Sequence, residues 1–109
     1  MMFNTGAALL DAVVLAVAAQ DSGGTYGYKI TQDVRAVLDV SESALYPVLR
    51  RLQTGGLLRT YDQEFNGRNR RYYKITAQGK KELESYRQDW KMYTEKINDI
   101  LFNNITEEN

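Results

Sequence analysis

Between Ser41 and Thr76 the chain carries a short amphipathic helix pattern followed directly by a basic hairpin pattern, and this order limits what the whole chain can fold into. Leu45, Val48, Leu49 and Leu52 fall at i, i+3, i+4 and i+7, so a helix over this stretch presents one apolar stripe to a core. Ser43, Tyr46, Pro47 and Arg50 fall on the opposite side, with Arg51 near its edge. Ser41 precedes the helix as a good N-cap, and Gln53-Thr54-Gly55-Gly56 ends it. Residues 57–64 and 70–75 then read as two strands around Asn66-Gly67, a tight-turn pair in which both residues tolerate positive φ. Pro47 removes the donor for the Ser43 carbonyl, so the first turn is expected to be irregular or the helix bent there.

Upstream, Ile30, Val34, Val37 and Leu38 recur at helical spacing in a helix opened by Tyr26-Gly27-Tyr28. Helix, turn, helix and basic hairpin form a winged helix-turn-helix, a fold that places its second helix in a DNA groove and its hairpin beside it. The fold class expected is therefore mainly α with a two-stranded β wing. Phe65 to Asn69 is expected to form the wing tip, with Arg68, Arg70 and Arg71 close by. Tyr72 and Tyr73 should point to opposite faces of their strand.

Charge distribution supports this fold where the total does not. The 109 residues have zero formal net charge, yet residues 50–81 hold nine Lys/Arg against Asp62 and Glu64, and the segments before and after are acidic. A local cationic patch is what phosphate attraction needs. Cysteine and histidine are both absent, which removes disulfides, thiol chemistry, the usual general base and the usual soft-metal ligand. No enzyme activity, metal site or cofactor is expected, and a reducing cytoplasm suits the chain.

Residues 7–19 are apolar except for Asp11. No Lys or Arg precedes Lys29, so the positive region of a secretory signal is missing, and the run is shorter than the about 20 residues that span a bilayer. A helix this apolar should be buried on most sides, by a partner subunit as well as by its own core. At the other end, Thr76 can cap a helix from Ala77 to about Asn103, in which Leu83, Tyr86, Trp90, Tyr93, Ile97 and Ile100 recur at alternating spacings of 3 and 4. That is a coiled-coil seam, and it asks for a facing helix. The division expected is residues 1–76 as the winged domain, with helix 6–20 contributing to a homodimer interface, and residues 77–109 as a dimerisation helix. The tail, residues 104–109, is polar apart from Ile105.

Tyr26-Gly27-Tyr28-x-Ile30, Leu45-Tyr46-Pro47-x-Leu49-x-Arg51-Leu52, Gly56-Leu57 and Arg70-Arg71-Tyr72-Tyr73-x-Ile75-Thr76-x-x-Gly79 together resemble the PadR family of winged-helix transcriptional regulators. The single C-terminal helix resembles its short subfamily, which includes multidrug-responsive repressors. The resemblance implies a dimeric, ligand-responsive DNA-binding repressor whose partner is double-stranded DNA. It implies contacts to phosphates and base edges from Ser43, Tyr46, Arg50 and Arg51, wing contacts from Arg68, Arg70 and Asn69, and supporting phosphate contacts from Lys29 and Lys74. Asn69 departs from the basic residue or glycine that many members carry there. The resemblance also implies that Trp90 stacks on a planar hydrophobic effector, aided by Leu10, Val14 and Val17 of the first helix. A winged-helix dimer used for protein–protein interaction without DNA binding is the alternative.

Overall fold

The computed structural model describes residues 6–103; the tail expectations for residues 104–109 lie outside them. Helix α1 (Ala7–Ala19) is followed by a short strand β1 (Thr25–Tyr26), helices α2 (Gly27–Arg35) and α3 (Glu42–Thr54), the hairpin β2 (Leu58–Phe65) and β3 (Arg68–Ile75), and the long helix α4 (Ala77–Asn103). The sheet has three antiparallel strands in the order β1-β3-β2, one more than the two-stranded wing expected. Thr25 pairs with Tyr73 and Tyr26 with Tyr72. A two-residue strand carries no periodicity to read. Tyr26 is extended (φ −82°, ψ 156°) and serves both as the last strand residue and as the N-cap of α2, so the helix opens at Gly27.

The core forms where α1, α2, α3 and the inner side of the sheet meet. Val14, Leu15 and Ala18 of α1, Ile30 and Val34 of α2, all four stripe residues of α3, and Leu58, Tyr73, Ile75 and Leu83 are buried together. Val37 departs from its expected core position. Helix α2 ends at Arg35, and the amides of Val37 and Leu38 both fold back onto the Val34 carbonyl. Periodicity therefore stops there, and Val37 is 78% exposed while Leu38 stays half-buried.

Ser41 caps α3 as expected, its Oγ accepting from the Ala44 amide at 3.2 Å. Pro47 does not interrupt the helix, which runs unbroken to Thr54. The carbonyl it leaves without a donor belongs to Ser43, in the exposed first turn, where water can take the place of the missing amide. The wing turn is tighter than expected. Asn66 (φ 54°) and Gly67 (φ 79°) alone make it, and Phe65 and Asn69 are paired strand residues rather than tip residues. Positive φ at both central positions matches the right-handed twist of the flanking strands.

Thr76 joins the two halves of the molecule. Its hydroxyl donates to the Gly56 carbonyl at 2.7 Å and accepts from the Gly79 amide at 2.9 Å, capping α4. At Gly79 the first turn of α4 runs so close to the β2 entrance that a Cβ would lie 2.2 Å from the Leu57 carbonyl oxygen and 2.7 Å from Ile75 Cγ1. The Thr-x-x-Gly spacing is thus a contact requirement.

Candidate nucleic-acid interface

Because the α3 stripe is fully used by the core, its other side is presented outward. Ser43, Pro47 and Arg50 are exposed there, and Ser43 Oγ lies 3.2 Å from Ser41 Oγ. Tyr46 stands at the edge facing α2 and the wing. It is half-buried, donates its hydroxyl to Glu42 Oε2 at 3.2 Å, and burial pushes its phenol above the ordinary value. Tyr26, Gly27, Tyr28, Tyr46, Arg70, Arg71 and Tyr73 line a groove of about 340 Å³ between the start of α2, α3 and the wing.

Arg51 corrects the expectation made for it. It leaves α3 on the edge facing α1, and its guanidinium pairs with Asp11, the single charge in the apolar first helix. This hydrogen bond raises the Arg51 pKa. A residue adjacent to Leu52 is carried toward the neighbouring helix as readily as toward solvent, and the carboxylate decides which. Arg51 and Asp11 tie α1 to α3, leaving Arg50 as the outward cation of the pair.

In the hairpin the register sorts charges by face. Asp62 faces Arg71 and Glu64 faces Asn69 on the side continuous with Leu58 and Tyr73. On the other side stand Arg59 opposite Lys74, Tyr61 opposite Tyr72, Gln63 opposite Arg70, and Phe65 opposite Arg68. Tyr72 therefore points outward and Tyr73 inward, as expected. The Arg70 guanidinium lies over the rings of Tyr26 and Phe65, 4.4 and 4.5 Å from their centroids. Arg68 stands beside the turn, and Lys29 is paired with Asp33 at 2.9 Å on α2, which raises its pKa.

A second feature lies between α1 and α4. Leu9, Ala12, Val13, Ala16, Leu83, Tyr86 and Trp90 are among the residues that line an apolar groove of about 380 Å³, with Arg87 at its margin. Trp90 is in it as expected, but Leu10, Val14 and Val17 are not. Val14 is fully buried in the core, while Leu10 and Val17 pack against that core. Since α1 is apolar apart from Asp11, its sequence carries little to mark which side the groove uses. The seam divides as well: Leu83 is 5% exposed and belongs to this chain's own core, while Trp90 and Ile100 are 42% and 61% exposed. Trp90 and Tyr93 rings lie 6.0 Å apart. Among the described residues, no helix is long and apolar enough to cross a membrane.

The geometry has counterparts of known structure. A Streptococcus mutans UA159 protein is 35% identical, with a TM-score of 0.82 over 94% of this chain and 95% of that one. A PadR-like transcriptional regulator from Bacillus cereus is 30% identical, with a TM-score of 0.78 over 87% and 93%. The fold is also shared by Bacillus subtilis PadR, solved in complex with operator DNA, at 22% identity and a TM-score of 0.63 over 72% of this chain and 46% of that one. The model of the transcriptional regulator PadR-like family matches residues 14–85, from the core of α1 to the third turn of α4. By that match and the motifs it spans, the chain belongs to the PadR-like family, whose members are transcriptional regulators and not enzymes.

Proposed function

We propose that this PadR-like regulator acts in the cytoplasm as a homodimeric repressor that binds double-stranded DNA and is released by a planar hydrophobic ligand. The observation that carries the DNA reading is the division of α3: one face is wholly buried, and the opposite face offers Ser43 and Arg50 beside a wing bearing Arg68, Asn69 and Arg70. Each α3 enters a major groove, with half-sites about 34 Å or a multiple of it apart. Arg50 and Ser43 meet base edges and phosphates, and Arg68, Asn69 and Arg70 meet the backbone or a minor groove. Tyr46 reaches a phosphate by exchanging it for Glu42 as acceptor. Lys29 and Lys74 add flanking phosphate contacts. That Bacillus subtilis PadR, which shares this fold, is known in complex with operator DNA supports reading this chain as a DNA-binding protein.

Residues 1–76 serve as the DNA-binding domain and residues 77–109 as the dimerisation helix. Trp90, Tyr93, Ile97 and Ile100 form the seam that meets a second copy, because an isolated chain would leave this apolar row in water. The effector occupies the groove between α1 and α4 and stacks on Trp90, with Leu9, Val13 and Ala16 in place of the α1 residues first expected. It weakens operator binding only to the extent that it binds one spacing of the two α3 helices better than the other.

Fluorescence anisotropy on the DNA upstream of the protein's own gene, over a salt series, tests this for wild type and the R68A/R70A double variant. Tight binding that falls steeply with salt, and less steeply in the variant by about one unit of slope per lost phosphate contact, is the expected result. Binding no tighter than to random DNA, with wild type and variant alike at every salt concentration, would favour the interaction-module alternative.

A further inference from the structure

We infer that the ion pair between Asp11 and Arg51 is the link through which the groove between α1 and α4 and the outward face of α3 act on each other. An effector wedged into the groove moves α1 away from α4, and the pair makes α3 follow. This rests on the DNA and effector readings above, and it assigns their coupling to two residues that touch neither ligand. The first ground is where Asp11 stands on its helix. Leu9, Ala12, Val13 and Ala16 line the groove at i, i+3, i+4 and i+7, so they form one face of α1. Asp11, two positions from both Leu9 and Val13, lies about 200° round the same helix, where its carboxylate pairs with Arg51 of α3. The 13 residues of α1 include neither proline nor glycine, so a push on one face is delivered to the other by a stiff rod.

The second ground is what else joins α1 to α3. Val14, Leu15 and Ala18 are buried together with the α3 row of Leu45, Val48, Leu49 and Leu52. Apolar contact is non-directional, and helices packed in this way slide past each other in small steps. An arginine–carboxylate pair instead has a fixed geometry. The Asp11 side chain is only 16% exposed and is the single charge of its helix, so the cost of leaving a withdrawn carboxylate unpaired holds it to Arg51. Without the pair α1 slides over the α3 row; with it the two helices move together. Arg51 adjoins Arg50 in an unbroken helix, so a displacement at Arg51 reaches the outward cation beside it.

The third ground is Tyr86. It lines the groove and packs against the core. Burial and then the Asp11 carboxylate raise its phenol above the ordinary value, with Arg51 opposing. One wall of the groove thus stands in the field of the pair itself.

The test uses the full chain, a labelled duplex from upstream of its own gene, and Nile red, a neutral planar fluorophore, as the groove probe. Duplex affinity is measured by anisotropy with and without saturating probe, and the ratio of the two is the coupling. Wild type is expected to give a ratio of about 5–150. D11N and R51Q should bind the duplex alone and the probe alone within about twofold of wild type, yet lower the ratio to about 2 or less. The D11N/R51Q double variant should lose no more than either single one, because both remove the same link. D11E, which keeps the carboxylate, should recover part of the ratio. V34A, which lowers stability from inside α2 without touching the pair, should keep the wild-type ratio. Wild-type ratios in D11N and R51Q, or a V34A ratio that falls as far as theirs, overturn the proposal and leave the effector reading intact; a probe without effect on wild type overturns both. Trp90, the only tryptophan, supplies a readout without any added probe. It lines the groove, so binding of the duplex should shift its emission in wild type and leave it unmoved in D11N and R51Q. The same shift in all three would refute the link.

Discussion

Helices α3 and α4 carry the same kind of apolar row, and they end in opposite situations. In α3 the row Leu45, Val48, Leu49 and Leu52 is no more than 3% exposed, enclosed by α1, α2 and the sheet. In α4 the row begins in the same core at Leu83 and then leaves it, so that Trp90 and Ile100 are substantially exposed along a helix of 27 residues. Periodicity states which face of a helix is apolar; it does not state what covers that face. For α3 the cover lies within about 50 residues on either side of it in the same chain. For the far half of α4 the chain supplies no such cover among its described residues, which is the physical ground for a second copy.

The contrast can be broken at several points, and the largest effect is expected in the α3 row. Leu49→Ala should cost about 3 kcal/mol or more in urea unfolding, because a fully buried leucine loses both its transfer energy and its packing. A loss below about 1 kcal/mol would mean that the α3 row can collapse as easily as an exposed one. At the junction of the two helices, Gly79→Ala should cost about 3 kcal/mol by the same measurement. Alanine in a helix ordinarily gains up to about 1 kcal/mol over glycine, so here the sign itself is diagnostic of the Leu57 contact.

In the far half of α4, Ile97→Lys should leave the helical circular-dichroism signal of the winged half intact and weaken self-association in sedimentation equilibrium at least about 100-fold, or about 2.7 kcal/mol. An unchanged sedimentation profile would remove the seam as an interface. Arg51→Ala should lower stability by only about 0.5–1 kcal/mol, since the pair with Asp11 is partly exposed, and should leave the salt slope of DNA binding untouched. Arg50→Ala is expected to reduce that slope, so the two adjacent arginines separate contact with α1 from groove-facing duty on one helix.

The smallest effect concerns Glu84 on the solvent side of α4. Gln88 and Arg87 hold its carboxylate below the ordinary value of 4.5. A group whose folded pKa is depressed adds stability above its unfolded value and loses it as pH falls through the folded one. Glu84→Gln should therefore narrow the difference in melting temperature between neutral pH and pH below about 4, by an amount that shrinks with added salt.

Much of this was legible without coordinates where the signal was local. The Ser41 cap, the α3 row, the Asn66-Gly67 turn and the Thr76 cap each depend on residues within a few positions of one another, and each stands where the spacing puts it. The helix α4 has the bounds its pattern implies. Strand β1 was not legible, because its two residues are extended only through pairing with β3, about 45 residues further on. Leu9, Ala12 and Ala16 were missed for the opposite reason: a helix apolar but for Asp11 contains too little internal contrast from which a groove face can be chosen.

Sequence alone determined the periods, caps and turns, and with them the family, because those are set by short-range sterics and hydrogen bonding. Only tertiary structure decided where borderline side chains point. Arg51 lies at the edge of a polar face, and its direction depends on Asp11, which stands 40 positions away in sequence and beside it in space. Val37 has the spacing of a core residue, and its exposure depends on where α2 happens to stop. A local pattern fixes the angle at which a side chain leaves its own helix; the neighbour it meets there is chosen by how the helices pack.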